Sequence, residues 1–260
     1  MKQINSKTIV FLTGAFVGKE GWNDWMKFFE AKGYTCSNPP WLNKNDSPAK
    51  LRAKHPYSNI ADITFTGVLE NYAKIVKSQK EKPIVIGHST GGLFAQLLLN
   101  RGLVAAAVAI HSLPPMGVIP TQVSFYRGGT GSLGFFTSLK KTYLMPFKTW
   151  QYAFTNGMPL KEQQKAYEEN VVPESKRLAR GALTKAAKID FNKPHAPLLF
   201  TSGTIDNIIP AALNYKNFKR YKDKNSITEY KNFEGRNHYV LGQPSWKEDA
   251  EYILNWIESH

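Results

Sequence analysis

The sequence predicts a doubly wound α/β fold built on a mainly parallel sheet of about six strands, and three observations carry that reading. Short apolar runs recur along the 260 residues, at Thr8–Thr13, Tyr34–Ser37, Ile84–Gly87, Ala105–Ile110, Leu198–Ser202 and Ile227–Phe233. Most are apolar throughout rather than alternating, as befits strands covered on both faces. Helix-like patterns stand between them, at Trp22–Ala31, Ile63–Ser78, Leu93–Asn100, Ala211–Tyr221 and Lys247–Ile257. Strand alternating with helix points to parallel βαβ units.

Taken in order, the first run reads as a buried strand rather than the apolar core of a leader. No small-x-small cleavage site follows Val17, and Gly18-Lys-Glu-Gly-Trp-Asn reads as a loop opening a helix. Ser37–Asp62 is long, polar and Pro-containing, so a structured surface loop is expected there. Ala105–Ile110 is Ala-rich and equally compatible with strand or buried helix. Between Pro114 and Lys193 no convincing strand occurs, while Ser132–Thr142 and Leu160–Glu169 have helical character. The expected organisation is therefore one domain, with a core of residues 1–113 and 194–260 and a helical lid inserted at 114–193.

Composition excludes several classes. Hydrophobic residues make up 42% and aromatics 13%, too many for a disordered chain. A single cysteine, Cys36, rules out an internal disulfide framework and favours a reducing, cytoplasmic location. No apolar run approaches the ~18 residues that span a bilayer. The net charge of +14 raises the question of an anionic partner. Its lysines are mostly scattered singly with no nucleic-acid motif beside them, so a solvated basic surface is expected and nucleic-acid binding is not. Half of that excess falls between Pro114 and His195, with 12 Lys/Arg against 5 Asp/Glu. Oligomeric state is not legible.

The chemistry concentrates in Ile84-Val-Ile-Gly-His-Ser-Thr-Gly-Gly92, followed at once by a helical run. A strand, a Gly-flanked turn and a helix hold Ser89 on the bend, its hydroxyl exposed above the strand ends. Side chains at Gly87 or Gly91 would collide with the neighbouring strand or helix. Serine is a weak nucleophile that needs a base, and the base needs an orienting acid. The best acid is Asp206, in Thr204-Ile-Asp-Asn207 after the penultimate strand, and the best base is His238, in Gly235-Arg-Asn-His-Tyr239 after the last. Each has an ordinary alternative: Asp206 as a helix cap, His238 as a loop hydrogen bonder. Their order with Ser89, all at carboxyl ends of strands, favours a triad. His88 sits within the elbow and His111 ends a strand, where it either lines a pocket or makes a structural hydrogen bond. No His-x-x-x-His or cysteine pair has metal-ligand spacing, so neither metal nor cofactor is expected.

The chain resembles the serine hydrolases of the α/β-hydrolase fold superfamily over nearly its whole length. Gly-His-Ser-Thr-Gly-Gly at 87–92, Ser-Gly-Thr-Ile-Asp at 202–206 and Gly-Arg-Asn-His at 235–238 carry the likeness. The segment Phe11-Leu-Thr-Gly-Ala-Phe16 is similar to one that often reads His-Gly-x. The resemblance implies an oxyanion hole formed by the backbone amides of Ala15 and Thr90, with Phe16 beside it. Thr13 stands in place of the usual His, and the Pro-Gly-His-Gly turn after the second strand is replaced by the longer 37–62 loop. The superfamily's opening antiparallel strands are not expected here.

The expected activity is that of a serine esterase, lipase-like, cleaving a small or medium apolar ester through an acyl-enzyme. Thioesterase, amidase, carbon–carbon hydrolase and perhydrolase chemistries share the same triad, and a receptor-like ligand binder is the non-enzymatic alternative. Candidate pocket residues are Phe16, His88, Phe135, Phe136, Phe147 and Trp150.

Overall fold

Apolar residues at alternate strand positions face opposite sides of one sheet, and this divides the core in two. Val10, Leu12, Val85, Ala107 and Phe200 pack on one face, while Ile9, Phe11, Ile84, Val108 and Leu199 pack on the other. The computed structural model describes residues 3–260. Its sheet holds six parallel strands: β1 (Thr8–Leu12), β2 (Thr35–Ser37), β3 (Ile84–His88), β4 (Ala106–Ile110), β5 (Leu198–Gly203) and β6 (Thr228–Phe233). The Ala-rich run is thus strand, and β3 and β4 are buried at every position.

The spatial order is β2-β1-β3-β4-β5-β6. The chain leaves β1 to one side to form β2, then crosses back to form β3 on the other. Such a reversal opens a crevice at the carboxyl ends of β1 and β3, where open α/β sheets bind ligands.

Helices α1 (Asn23–Glu30), α2 (Pro48–Ala53), α3 (Phe65–Lys77) and α4 (Thr90–Asn100) flank the first half. Trp22, Trp25 and Phe29 enter the core beside α10 (Trp246–Ser259). The 37–62 loop contains α2, whose start is favoured by Pro48 at its first turn. Segment 114–193 carries α5 (Val123–Gly129), α6 (Phe147–Ala153), α7 (Leu160–Asn170) and α8 (Lys176–Gly181); α9 (Ala211–Phe218) follows β5.

The helix expected over Ser132–Thr142 is not formed. One 3-10 turn, Thr130–Leu133, stops at Gly134, which adopts φ +50° in the left-handed region. Glycine there reverses the backbone and breaks helical continuation. Among the described residues no helix is long and apolar enough to cross a membrane.

Candidate active site

Five of the six strands deliver a polar residue or backbone donor to the same edge. Beyond β1 lies Thr13–Phe16, beyond β3 Ser89, beyond β4 His111, beyond β5 Asp206 and beyond β6 His238. Among the described residues four non-glycine residues have positive φ, and three of them, Phe16 (+69°), Ser89 (+58°) and His111 (+44°), stand here. Backbone strain gathers where a fold holds side chains in set positions.

At Ser89 the bend is enforced by contact. A Cβ on Gly87 would lie 2.1 Å from the Gly91 carbonyl oxygen, and one on Gly91 would lie 2.0 Å from that of Leu12. Both positions therefore require glycine, and α4 starts against β1 with no room to spare. The Ser89 amide donates to the Ile110 carbonyl at 3.0 Å, tying the elbow to β4. The Ser89 hydroxyl makes no hydrogen bond among the described residues, and Ser89 lines a cavity of about 550 Å³.

Asp206 and His238 are both buried, and His238 Nδ1 stands 2.7 Å from Asp206 Oδ2. Asp206 Oδ1 accepts from the amides of Ile208 and Ile209 at 2.9 and 2.8 Å, so helix-cap-like bonds and a histidine contact coexist on one carboxylate. Burial alone would raise the Asp206 pKa. The His238 charge interaction and hydrogen bonds from His111 and His238 outweigh it and hold the carboxyl well below its usual range. For His238 burial is the larger influence, and it lowers the pKa below 6.5 against the pull of Asp206. The ring is thus neutral at neutral pH. With Nδ1 donating to the carboxylate, Nε2 is the acceptor, and it has no partner among the described residues.

Sequence alone leaves His111 open between pocket and structural roles. The structure makes it a second partner of the same carboxylate oxygen, with Nδ1 2.7 Å from Asp206 Oδ2. The three groups offer ligand atoms within 4.8 Å of one another. Their 2.7 Å nitrogen–oxygen separations are hydrogen-bond lengths, shorter than the roughly 3.3 Å between two ligands each ~2.0–2.1 Å from one tetrahedral zinc. His88 packs on the His238 ring with centroids 4.6 Å apart. Burial, then repulsion from His238 and His111, keeps its pKa far below the ordinary value.

The loop after β1 is pinned on both sides of its middle. The Thr13 amide donates to the Tyr72 hydroxyl at 3.3 Å, and the Phe16 amide donates to Glu174 Oε2 at 3.0 Å. Between them the Ala15 amide has no partner among the described residues, and neither does that of Thr90. Ala15, Phe16, Ser89 and Thr90 all line the 550 Å³ cavity. Gly14 lets the loop close on the elbow, since a Cβ there would stand 2.9 Å from the Ser89 Cβ.

The cavity runs from Ser89 into segment 114–193. Leu113–Pro120, Phe125, Tyr126, Leu133, Phe135, Leu178 and Leu183 form its largely apolar wall. Of the six pocket candidates, Phe16 and Phe135 line it and four do not. His88 instead borders a small cleft behind His238, with Thr13, Trp22 and Tyr239. Phe136 points fully into solvent. Phe147 packs edge-on against Tyr167, with ring centroids 5.3 Å apart. Trp150 is completely buried, stacked at 4.4 Å on Phe154. Phe154 in turn meets His238 edge-on at 4.7 Å, so α6 buttresses the imidazole rather than the cavity. Neighbouring aromatics thus part company because the turn ending at Gly134 and the packing of α6 aim each one, which sequence spacing does not encode.

Glu174 carries no sequence signal of a site role. It lines the cavity yet is fully buried, and Lys44 Nζ lies 2.6 Å from its Oε2. No local motif marks either residue, and they are 130 positions apart. Lys44 is also an exception to the expectation of solvated lysines; burial lowers its pKa against the pull of Glu174.

A model of the alpha/beta hydrolase family matches residues 9–247. No curated protein matches the sequence. Among solved structures, a monoacylglycerol lipase of Paleococcus ferrophilus is similar at 19% identity and TM-score 0.70, over 97% of this chain and 94% of that one. Tomato Methylketone Synthase I complexed with 2-tridecanone is similar at 17% identity and TM-score 0.70, over 98% of both chains. An extracellular alpha/beta-hydrolase from a Paenibacillus species is similar at 18% identity and TM-score 0.67, over 95% of this chain and 98% of that one. Identities this low speak to the fold.

Proposed function

The chain belongs to the alpha/beta hydrolase family and is an enzyme of that type, and from this premise we propose that it is a serine esterase acting on a small or medium apolar carboxylic ester. The observation that carries the proposal is the 2.7 Å contact of His238 with Asp206 at the same sheet edge as a strained Ser89 that lines an apolar cavity. In this reading His238 Nε2 takes the Ser89 proton as the hydroxyl oxygen attacks the ester carbonyl. Asp206 holds the Nδ1–H tautomer and stabilises the imidazolium that forms. The amides of Ala15 and Thr90 receive the negative oxygen of the tetrahedral intermediate, a contribution of about 3–4 kcal/mol per donor. The intermediate collapses as His238 returns the proton to the departing alcohol, leaving Ser89 acylated. Water, deprotonated by the same Nε2, then releases the acid and restores the serine.

Segment 114–193 acts as a lid that supplies most of the acyl or alcohol pocket. Its size suits a ligand in the usual 300–1,000 Å³ range for small molecules. The single cysteine, incapable of an internal disulfide, accords with a reducing cytoplasm.

A fluorophosphonate probe tests the reading directly. Ser89 should be labelled covalently and an activated acyl ester should give a burst, while folded Ser89→Ala shows neither. Labelling retained in Ser89→Ala would assign the nucleophile elsewhere. Parallel esters, thioesters and amides of one acyl group should be cleaved fastest as the ester; a faster thioester would replace the ester assignment.

A further inference from the structure

We propose that Glu174 is a positioning residue for the oxyanion loop, held in its working geometry by Lys44; this rests on the serine-hydrolase reading above. The residues come from outside the sheet, Lys44 from the long loop after β2 and Glu174 from segment 114–193. They converge on one backbone amide. Glu174 Oε2 accepts from Lys44 Nζ at 2.6 Å and from the Phe16 amide at 3.0 Å, while its Oε1 accepts from the Ser175 amide at 2.8 Å. The Lys44 ammonium also lies 4.2 Å from the centre of the Trp41 ring.

Two unfavourable features meet here. A buried ion pair loses hydration that its mutual attraction seldom outweighs, and Phe16 holds φ +69°, where a bulky aromatic rarely sits. A strained residue persists only when its surroundings over-determine it. Those surroundings are a zipper between residues 16–18 and 170–174. The Gly18 amide donates to the Asn170 carbonyl at 3.1 Å, Val17 bridges Val171, and the Val172 amide donates to the Phe16 carbonyl at 2.8 Å. Glu174 closes it by taking the Phe16 N–H.

The consequence is selective. The Ala15–Phe16 peptide plane is fixed through its N–H, and the Thr13 amide is fixed on Tyr72. With the Phe16 amide engaged, the Ala15 amide stays free among the described residues and lines the same cavity as Ser89 and the Thr90 amide, available to a developing oxyanion. A donor aimed in advance is what makes such a site effective. Without the acceptor at 174, the Ala15–Phe16 peptide gains freedom to turn, and through the shared Ala15 Cα the preceding Gly14–Ala15 peptide, which carries the Ala15 N–H, loses its anchor and its aim.

The test removes the acceptor without stranding a buried charge. In a Lys44→Met background, Glu174→Gln keeps one oxygen for the Phe16 N–H, with its NH2 turned toward the Ser175 amide, whereas Glu174→Leu is similar in size and offers neither amide an acceptor. On a soluble activated ester, the Leu variant should show kcat lower than the Gln variant by about 10- to 100-fold, part of the 10²–10³ that one oxyanion donor supplies. KM should agree within about threefold, since ground-state binding does not use the donor. Affinity for a trifluoromethyl ketone, which forms an oxyanion on Ser89, should fall in step with kcat. If the Leu variant does not fold, Glu174→Asp with Lys44 intact keeps the charge but shortens the reach, and should lower kcat the same way. Equal kcat for Gln and Leu, or a wild-type kcat for Glu174→Asp, overturns the proposal while Ser89 labelling stands. Failure of Ser89 to label in the unaltered protein overturns the underlying reading and this proposal with it.

Discussion

Asp206→Asn is the sharpest perturbation available, because the surroundings dictate how the new amide must sit. The carboxylate accepts four hydrogen bonds: two from the Ile208 and Ile209 amides on Oδ1, and two at the His111 and His238 nitrogens on Oδ2. An asparagine has one oxygen to offer. Kept toward the two backbone donors, which cannot rotate away, it leaves the NH2 facing both imidazoles. Each ring must then present a lone pair at Nδ1 and carry its proton on Nε2. Nε2 of His238 becomes a donor and can no longer take the serine proton. The reverse orientation sets the NH2 against two buried backbone N–H groups, at a cost of about 1–3 kcal/mol for each donor left unsatisfied. The first arrangement therefore wins, and turnover falls by about 10⁴, equal to ~5 kcal/mol of transition-state stabilisation. The assay is kcat on an activated ester, with thermal unfolding to confirm a native fold. A folded Asp206→Asn protein within tenfold of the parent rate would refute both the tautomer argument and the acid assignment.

Acidification should act on rate and stability in the same direction. Burial sets the His238 pKa below 6.5, so the acid limb of kcat/KM should have its midpoint below pH 6.5; a midpoint at or above 6.5 would contradict it. In the unfolded chain His88 and His238 take up protons near pH 6.5 that the fold refuses, so melting temperature should decline as pH falls below ~6.5. A flat melting profile between pH 7 and 5 would argue against their burial as neutral rings. Gly91→Ala places a methyl 2.0 Å from the Leu12 carbonyl oxygen, forcing α4 from β1. A loss of about 3 kcal/mol and ~6–12 °C is expected, and an unchanged melting curve would contradict the packing. Across a chain-length series of esters, each added methylene that enters the cavity should raise kcat/KM by up to about fourfold, from ~0.8 kcal/mol of burial. Leu183→Ala on the cavity wall should change that slope and Phe136→Ala should not; the opposite pattern would relocate the pocket.

The parts of this protein that are legible in the sequence are those governed by neighbours within a few residues. Apolar runs at 84–87 and 198–202 become buried strands because their own composition demands cover on both faces. The bend at Ser89 is readable because Gly87, Gly91 and the helical run after them sit within about ten residues of one another. The order Ser89, Asp206, His238 is readable because parallel strands alternating with helices send every βα loop to one edge. Segment 114–193 resists for the complementary reason. Its glycines at 129, 131 and 134 interrupt the helical pattern, and whether an aromatic meets a cavity, a histidine or water depends on partners distant in the chain. Phe135 lines the cavity and Phe136 points to solvent, though the two are adjacent and identical. His111 meets Asp206 across 95 residues, and Lys44 meets Glu174 across 130. Sequence pattern determines which elements form and which edge they feed; only tertiary packing decides which distant side chains share a carboxylate, because contact geometry leaves no local periodicity to read.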